Sequence, residues 1–210
     1  MTEHVEQTQA GDVLGRDDLA GELEEFAQQI ADQVASFLLA LQAISREPEN
    51  GRAISLLLLE VSQVLLAGAR LGVQADFEPG QEYQPDVGPD PDLDAMRLRL
   101  ARMLDDVDTY TFNFDPYSPE LVTSQLSDDL TAVATDLANG LRHYKSGNVL
   151  EALWWWQFSY VASWGSIASA TLRALQSVIT HDRLDLEIEL DADQVAAANE
   201  ILGGAGTAPR

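Results

Sequence analysis

Residues 150–165 read LEALWWWQFSYVASWG, and this aromatic stretch decides the fold. Successive residues of an α-helix point about 100° apart, so three adjacent tryptophans spread over about 200° and cannot form one flat stacking surface. On an unbroken helical wheel, one broad apolar arc carries Trp154, Trp156, Phe158, Tyr160, Val161, Trp164, Ile167, Leu172, Leu175, Val178 and Ile179. Because this arc is wider than the stripe of a surface helix, it predicts a central helix over 148–180. Trp154, Trp156 and Trp164 are then expected in the core.

The opposite arc of this predicted helix carries small side chains at seven-residue intervals, including Ala152, Ser159, Ser166 and Ser163, Ala170, Ser177. Small side chains would allow another helix to approach closely, from the same chain or from a second copy. Trp155 and Arg173 stand among them, and aromatic side chains dominate binding hot spots. We therefore expect partner contacts at Trp155, Ser159, Ser166 and Arg173, with local packing as the simpler alternative for Trp155.

Four further helices are predicted from apolar residues at three- and four-residue steps. They cover 18–45, 52–71, a segment opened by Asp90-Pro91 that ends near Val107, and a segment opened by Ser118-Pro119 that Gly147 closes. Residues 73–92 are rich in proline, glycine and acidic side chains, which predicts a long loop that is either mobile or functional.

Two segments show the alternation of a β-strand. Residues 109–114 alternate threonine or asparagine with aromatic side chains, and residues 183–190, RLDLEIEL, alternate apolar with charged ones. A single strand leaves its backbone groups unpaired, so we predict that these two pair, within one chain or across a homodimer. Leu186 and Ile188 therefore join the candidate partner-binding residues.

The predicted fold class is all-α, a single helical bundle of about five main helices with a small appended two-strand element. The expected organisation is a flexible tail over 1–17, the bundle over 18–181, a strand with a short helix over 182–202, and a flexible tail over 203–210.

The charge and the composition of the chain restrict the classes of partner that it can bind. The 210 residues hold 35 acidic and 12 basic side chains, a formal net charge of −23. This field repels nucleic-acid phosphates and anionic lipid, so we expect no direct nucleic acid and no membrane contact, and a basic protein face as the favoured partner. The uncharged stretch 152–172 is interrupted by polar residues, unlike a membrane span. With no cysteine and a polar, acidic N-terminus, the chain is expected in the cytoplasm.

No pattern of catalytic or metal-binding residues emerges. The histidines, His4, His143 and His181, have no metal-ligand spacing. Asp105, Asp106 and Asp108 come close to the aspartate-rich motif of helical prenyl-transfer enzymes, but Thr109 stands where the last aspartate should be. We therefore predict no catalytic residue, no metal ligand and no cofactor, and interpret the acidic clusters as solvated faces.

The segment EALWWWQFSY, followed by SWG and TLRALQSV, resembles a bacterial and mainly actinobacterial family, domain of unknown function 5063. The matching positions are Trp154, Trp156, Phe158, Ser159, Trp164, Gly165, Arg173, Ala174 and Leu175, with Phe114, Asp115, Pro116 and Gly147 upstream. The resemblance implies an all-helical, soluble bacterial protein without an established activity, and it supplies no functional residue. Some relatives carry histidine or a charged residue where Ser163 and Trp155 stand here, which weakens a catalytic role for these two positions.

Three functional hypotheses follow. The leading one is a non-enzymatic interaction or adaptor protein. The alternative is an acidic, DNA-mimic-like regulator of a DNA-repair or replication protein, whose binding to a basic partner would depend strongly on salt. The second alternative is a metal-dependent enzyme that uses helix carboxylates.

Overall fold

A computed structural model describes the backbone of residues 3–47, 50–80, 88–115 and 117–189, and the side chains of 20–47, 52–80, 88–115 and 117–184. Its elements follow in the order α1 (Glu3–Ile44), α2 (Asn50–Gly72), α3 (Asp94–Leu104), a 3₁₀ turn (Asp105–Val107), β1 (Thr109–Asn113), β2 (Leu121–Gln125), α4 (Leu126–Lys145), α5 (Val149–Ser159), a π-helical segment (Tyr160–Trp164) and α6 (Gly165–Glu189). The predicted all-α bundle with a small β element is confirmed, because α5, the π segment and α6 follow without a break and form one long fifth helix.

The fifth helix packs against α1, α2 and α4, as its wide apolar arc predicts. Trp156 and Trp164 are fully buried, and each lies against a glycine of a neighbouring helix. Gly140 of α4 faces the Trp156 indole and Gly68 of α2 faces Trp164, with no room for a Cβ atom at either position. The Trp156 Nε1–H also donates a hydrogen bond to the Leu137 carbonyl at 3.0 Å. Glycines thus bring α2 and α4 close to the aromatic helix.

The turn between α4 and α5 reverses the chain at Gly147, which has φ +82°. The Gly147 N–H donates to the Tyr144 carbonyl and the Asn148 N–H donates to the His143 carbonyl. This pair of bonds is a Schellman motif, and the left-handed residue at its centre favours glycine. Gly147 therefore closes α4, whose last helical residue is Lys145, as the sequence predicts.

The strand pairing was predicted wrongly. β1 pairs antiparallel with β2, from Thr109 opposite Gln125 to Asn113 opposite Leu121, whereas 183–189 is helical. β2 lies where the sequence predicted the first turns of α4, which instead begins at Leu126. The start of α4 is set by Asp108, which accepts hydrogen bonds from the Ser127 N–H and the Ser127 hydroxyl. A hairpin partner a few residues away also closes a much shorter loop than a strand seventy residues away.

The segment RLDLEIEL is helical as far as the structure describes it, since α6 continues to Glu189. No proline or glycine interrupts the helix after Gly165, and leucine, arginine and glutamate are good helix formers, so elongation adds a hydrogen bond per residue without a new nucleus. α1 also extends further than expected, because it begins at Glu3 and we expected a tail over 1–17. Here the helix continues through Gly11, Gly15 and Gly21, as an extension of turns already formed. The predicted short helix, 193–202, and the tail, 203–210, lie outside the described residues.

The π segment changes which residues of the fifth helix face the core. Its i→i+5 bonding, with the Gly165 N–H donating to the Tyr160 carbonyl, adds about one residue to a turn and rotates the following helix by about 100° relative to an unbroken wheel. One unbroken wheel cannot fit both the residues before this segment and those after it. Phe158 and Val161, predicted in the core arc, are 54% and 75% exposed, and Trp154 is only part-buried. Ala152 and Ser159, predicted on the outer arc, are buried.

Among the described residues, Arg52–Gly72 of α2 is the one stretch long and apolar enough to cross a membrane. One face of this helix lies in the core, where Ile54, Leu57, Val61, Val64 and Leu71 are buried. Core packing accounts for this apolar face, as in the central helices of soluble bundles.

Candidate functional site: the groove between the hairpin and α6

A groove separates the β1–β2 hairpin from α6. It consists of two neighbouring cavities of about 370 and 450 Å³, which share Thr111 and Phe112 on one wall and Ala170 and Arg173 on the other. We call it the hairpin groove. Its further α6 lining includes Ser166, Ser169, Ser177, His181 and Asp182.

The hairpin groove runs along the edge of β1 that faces away from β2. Neighbouring strand residues point to opposite faces, yet Thr111 and Phe112 both line the groove, and no residue of β2 lines either cavity in the part of the chain described. An unpaired strand edge presents N–H and C=O groups that another extended chain can bind.

Three aromatic rings follow one another along this wall. The centroids of Tyr110 and Phe112 are 5.4 Å apart with nearly parallel rings, and Phe114 follows 6.4 Å beyond Phe112. Phe114 is exposed, and so are Tyr117 and Leu121 at the tip, at 96% and 77%. A hairpin with this much exposed apolar surface is typical of a binding element.

Polar contacts attach the hairpin firmly to α4. The Tyr110 hydroxyl donates to Asp129 at 2.6 Å, and the Ser124 hydroxyl donates to the other oxygen of the same carboxylate at 2.9 Å. Burial raises the pKa of Asp129, although both hydrogen bonds oppose that rise. Burial and the neighbouring carboxylate also raise the pKa of Tyr110 well above its usual value. Tyr110 is therefore protonated and serves as a donor that fixes β1 in place.

The groove holds a positive charge in an acidic protein. Arg173 is exposed on its α6 wall, and the side chains described include no ion-pair partner for it. His181 and Asp182 lie at one end, while Asn113 and Ser169 line the other. The middle of the groove therefore offers a guanidinium group to a carboxylate ligand.

The residues predicted to bind a partner do not form one surface. Ser166 and Arg173 both line the hairpin groove, whereas Ser159 is buried and its hydroxyl donates to the Trp155 carbonyl of the same helix. The backbone positions of Leu186 and Ile188 lie in the last turns of α6, and their side chains are outside the described set.

Trp155 packs locally against α4. Its ring stacks on the buried His143 ring at 5.8 Å and meets Trp154 edge-on at 5.5 Å. The His143 Nδ1 lies 4.0 Å from a carboxylate oxygen of Glu151, whose pKa is raised by burial. This cluster closes the α4–α5 turn.

A second surface was missed by sequence reasoning. Trp154, Phe158 and Val161 face Asp76–Pro79, the segment after α2, across a cavity of about 500 Å³. The sequence signal was present, because Trp154 and Phe158 are one helical turn apart, but the unbroken wheel placed both in the core. We call this the aromatic cavity.

The two surfaces carry aromatic rings, small polar side chains and charged groups. Within the described ranges, no group of three or more histidine, aspartate or glutamate side chains is arranged to hold a metal ion. Ser177 and His181 line the groove one turn apart, but no hydrogen bond joins them in the described set. A serine nucleophile needs a base within hydrogen-bond reach, so this pair gives no support to covalent catalysis.

Comparison with solved structures finds a likeness to protein BF1032 from Bacteroides fragilis, known from a crystal structure. The two share 18% sequence identity with a TM-score of 0.58, over 71% of this chain and 89% of that one. At this identity the likeness shows the fold alone. No curated protein matches the sequence.

A family model matches residues 21–181, from the middle of α1 through most of α6, including Ser166 and Arg173 of the hairpin groove. The sequence-based identification is thereby confirmed, and the chain belongs to the DUF5063 family, a domain of unknown function.

Proposed function

We propose that this protein is a non-enzymatic interaction protein that binds an extended segment of a partner protein along the open edge of β1. The observation that carries the proposal is the position of the hairpin groove. It follows the edge of β1 that has no strand partner among the described residues, and not the face of the sheet. Strand addition uses main-chain hydrogen bonds for affinity and alternate side-chain pockets for specificity. A cytoplasmic location is part of the proposal and is compatible with a chain without cysteine.

The dimensions suit a short peptide. Five residues of β1 span about 17 Å, which matches one strand of an added segment. Phe112 and Phe114 offer apolar contacts, and the small side chains of Ser166, Ser169 and Ala170 leave space on the opposite wall. Apolar residues at alternate positions of the partner segment would occupy this space.

The positive charge of Arg173 further restricts which partner segments can bind in the hairpin groove. Arg173 stands midway along the groove without an ion pair in the described structure, so an acidic side chain on the segment would gain a charge-assisted hydrogen bond. The net charge of −23 opposes an acidic ligand at long range, but that repulsion is screened beyond about 8 Å at physiological salt. We therefore expect one acidic residue among apolar ones.

Selection from a display library of random peptides of about twelve residues tests the proposal. We expect enriched peptides that alternate apolar residues around one aspartate or glutamate. Ser166→Arg fills the groove and should weaken their binding at least about tenfold by calorimetry. Ser36→Arg, the same change at an exposed position of α1, should leave affinity within about twofold.

N-methylation of the selected peptide separates strand addition from side-chain docking. Methyl groups on the alternate amides that face β1 should abolish binding, whereas methyl groups on the other amides should not. Equal tolerance of both patterns, or equal binding to the Ser166→Arg protein, would contradict the proposal. A dimer in light scattering that Ser166→Arg dissociates would replace the partner segment with a second copy of this chain.

A further inference from the structure

The aromatic cavity is a second surface, separate from the hairpin groove. Trp154 and Phe158 form one wall, with ring centroids 5.2 Å apart and planes only 7° from parallel. Val161 continues this wall, and Asp76, Glu78 and Pro79 form the other. Phe158 and Val161 are both more than half exposed in this chain. Stacked aromatic rings that remain in contact with solvent are uncommon without a ligand or partner.

The opposite wall is held in place by one buried glutamine. Gln157 Nε2 donates to the Leu71 carbonyl at 3.0 Å, and its Oε1 accepts the Phe77 N–H at 3.0 Å. The Phe77 ring also stacks on Phe26 of α1 at 6.4 Å. The segment after α2 is therefore fixed to two helices, and the cavity exists before any ligand binds.

Charges around the aromatic cavity have one sign. Asp76 and Glu78 line it, no basic side chain does, and neither carboxylate has an ion-pair partner in the part of the chain described. A cation placed here would lie near two carboxylates and beside the stacked ring pair, and carboxylates and aromatic rings both attract positive charge. The same protein contains such a contact at Arg70, whose guanidinium lies 5.4 Å from the centroid of the Phe26 ring.

We propose that the aromatic cavity binds an arginine side chain presented by a basic segment of a partner protein. A guanidinium group is planar, so it can stack parallel to the rings of Trp154 and Phe158 while its N–H groups reach Asp76 and Glu78. The net charge of −23 steers a basic segment toward the protein. This inference names a partner chemistry for an interaction protein, but it uses no residue of the hairpin groove, so either proposal can fail while the other holds.

The test uses a capped peptide of four Gly-Arg repeats as the probe, with a citrulline peptide of the same length as the neutral control. Calorimetry and tryptophan fluorescence would follow binding to the full chain. We expect the arginine peptide to bind and to change the emission of the part-exposed Trp154, and the citrulline peptide to bind at least about tenfold more weakly.

Matched variants separate the cavity from the general negative field. Phe158→Ala removes one ring, and Asp76→Asn with Glu78→Gln removes both carboxylates. Each should weaken binding of the arginine peptide about tenfold or more. Glu22→Gln with Glu24→Gln makes the same change in net charge at exposed positions of α1 and should change affinity by less than about twofold. Phe158 is exposed, so the circular dichroism of its variant should be unchanged and its melting temperature should fall by no more than about 4 °C.

Three results would overturn the inference. If the double variant in α1 weakens binding as much as the double variant in the cavity, the overall charge and not the cavity accounts for the binding. Full affinity of Phe158→Ala would remove the aromatic wall from the site. Binding of tetramethylammonium as tight as that of the arginine peptide, lost in Phe158→Ala, would assign the cavity to alkylammonium ligands in place of a partner's arginine.

Discussion

Two aromatic pairs on the same long helix meet opposite environments. Trp156 and Trp164 are fully buried and lie against Gly140 and Gly68, while Trp154 and Phe158, only a few residues away, line the open aromatic cavity. All four are large aromatic residues of one apolar segment. The difference shows that the residue on the neighbouring helix decides burial here. A glycine admits the ring into the core, and a segment without one leaves the ring at the surface.

The largest effect expected from this comparison comes from Trp156→Ala. It leaves a cavity at the α4–α5 contact and removes the donor to the Leu137 carbonyl, so the free energy of unfolding should fall by about 3–5 kcal/mol. Urea denaturation measures this loss. Trp154→Ala is the matched control and should cost about 1 kcal/mol, because its ring is part-exposed. Equal losses of unfolding free energy in the two variants would contradict the difference in burial between the two aromatic pairs.

The glycine side of the comparison is tested by Gly68→Ala. A methyl group there collides with Tyr160 and Trp164, so the free energy of unfolding should fall by about 1–3 kcal/mol despite the better helix propensity of alanine. Gly21→Ala, on the exposed face of α1 with no atom near its missing Cβ, should instead raise it by about 0.5–1 kcal/mol. Thermal melts of both variants measure these opposite changes in stability. A stabilised Gly68→Ala protein would contradict the close packing of Gly68 against Tyr160 and Trp164.

The pH dependence of the unfolding free energy tests the contact between Asp136 of α4 and Ser163 of the π segment. Burial raises the pKa of Asp136 and Asp90 raises it further, while the hydrogen bond that it accepts from Ser163 at 2.8 Å opposes the rise. A raised pKa contributes stability that is present at low pH and lost as pH rises through the folded-state value. Between about pH 4 and 7 the unfolding free energy of Asp136→Asn should therefore fall less steeply than that of the native chain.

Urea titrations across this pH range check the slope. Glu22→Gln, the same loss of charge at an exposed site, corrects for the general field of an acidic protein. A curve for Asp136→Asn parallel to that of the native chain would remove Asp136 from the pH dependence.

The smallest effect on stability is expected at Phe158. Because its ring is 54% exposed, Phe158→Ala should lower the free energy of unfolding by less than about 1 kcal/mol. Its consequence should instead appear in the emission of Trp154, which loses its stacked neighbour at 5.2 Å. A loss as large as that of Trp156→Ala would mean that the two pairs share one core.

The helices could be predicted from the sequence because their signals are local. Apolar residues spaced by three and four place Ile30, Val34 and Leu41 in the core of α1, and Gly147 ends α4 through its own backbone conformation. The limits of α4 and β2 could not be predicted, since they depend on Asp108, which binds Ser127 nineteen positions later. Ser118-Pro119 resembled a helix start, and nothing nearby contradicted it.

The candidate surfaces could be located only in part from the sequence. Ser166 and Arg173 were identified from the row of small side chains, but the element that faces them is β1 and not a helix. The π segment explains why the aromatic cavity was missed. It changes the phase between the residues before it and those after it, so one unbroken wheel misplaces Trp154 and Phe158. Both surfaces combine segments distant in sequence, which no local pattern connects.

The amide of Gln157 has a thermodynamic consequence for ligand affinity. Because this side chain ties the main chain at Leu71 and Phe77 to the aromatic helix, the entropy of ordering that wall is lost during folding. A ligand that binds there then loses only its own entropy, because the wall is already ordered. Even a single side chain can therefore bind with measurable affinity.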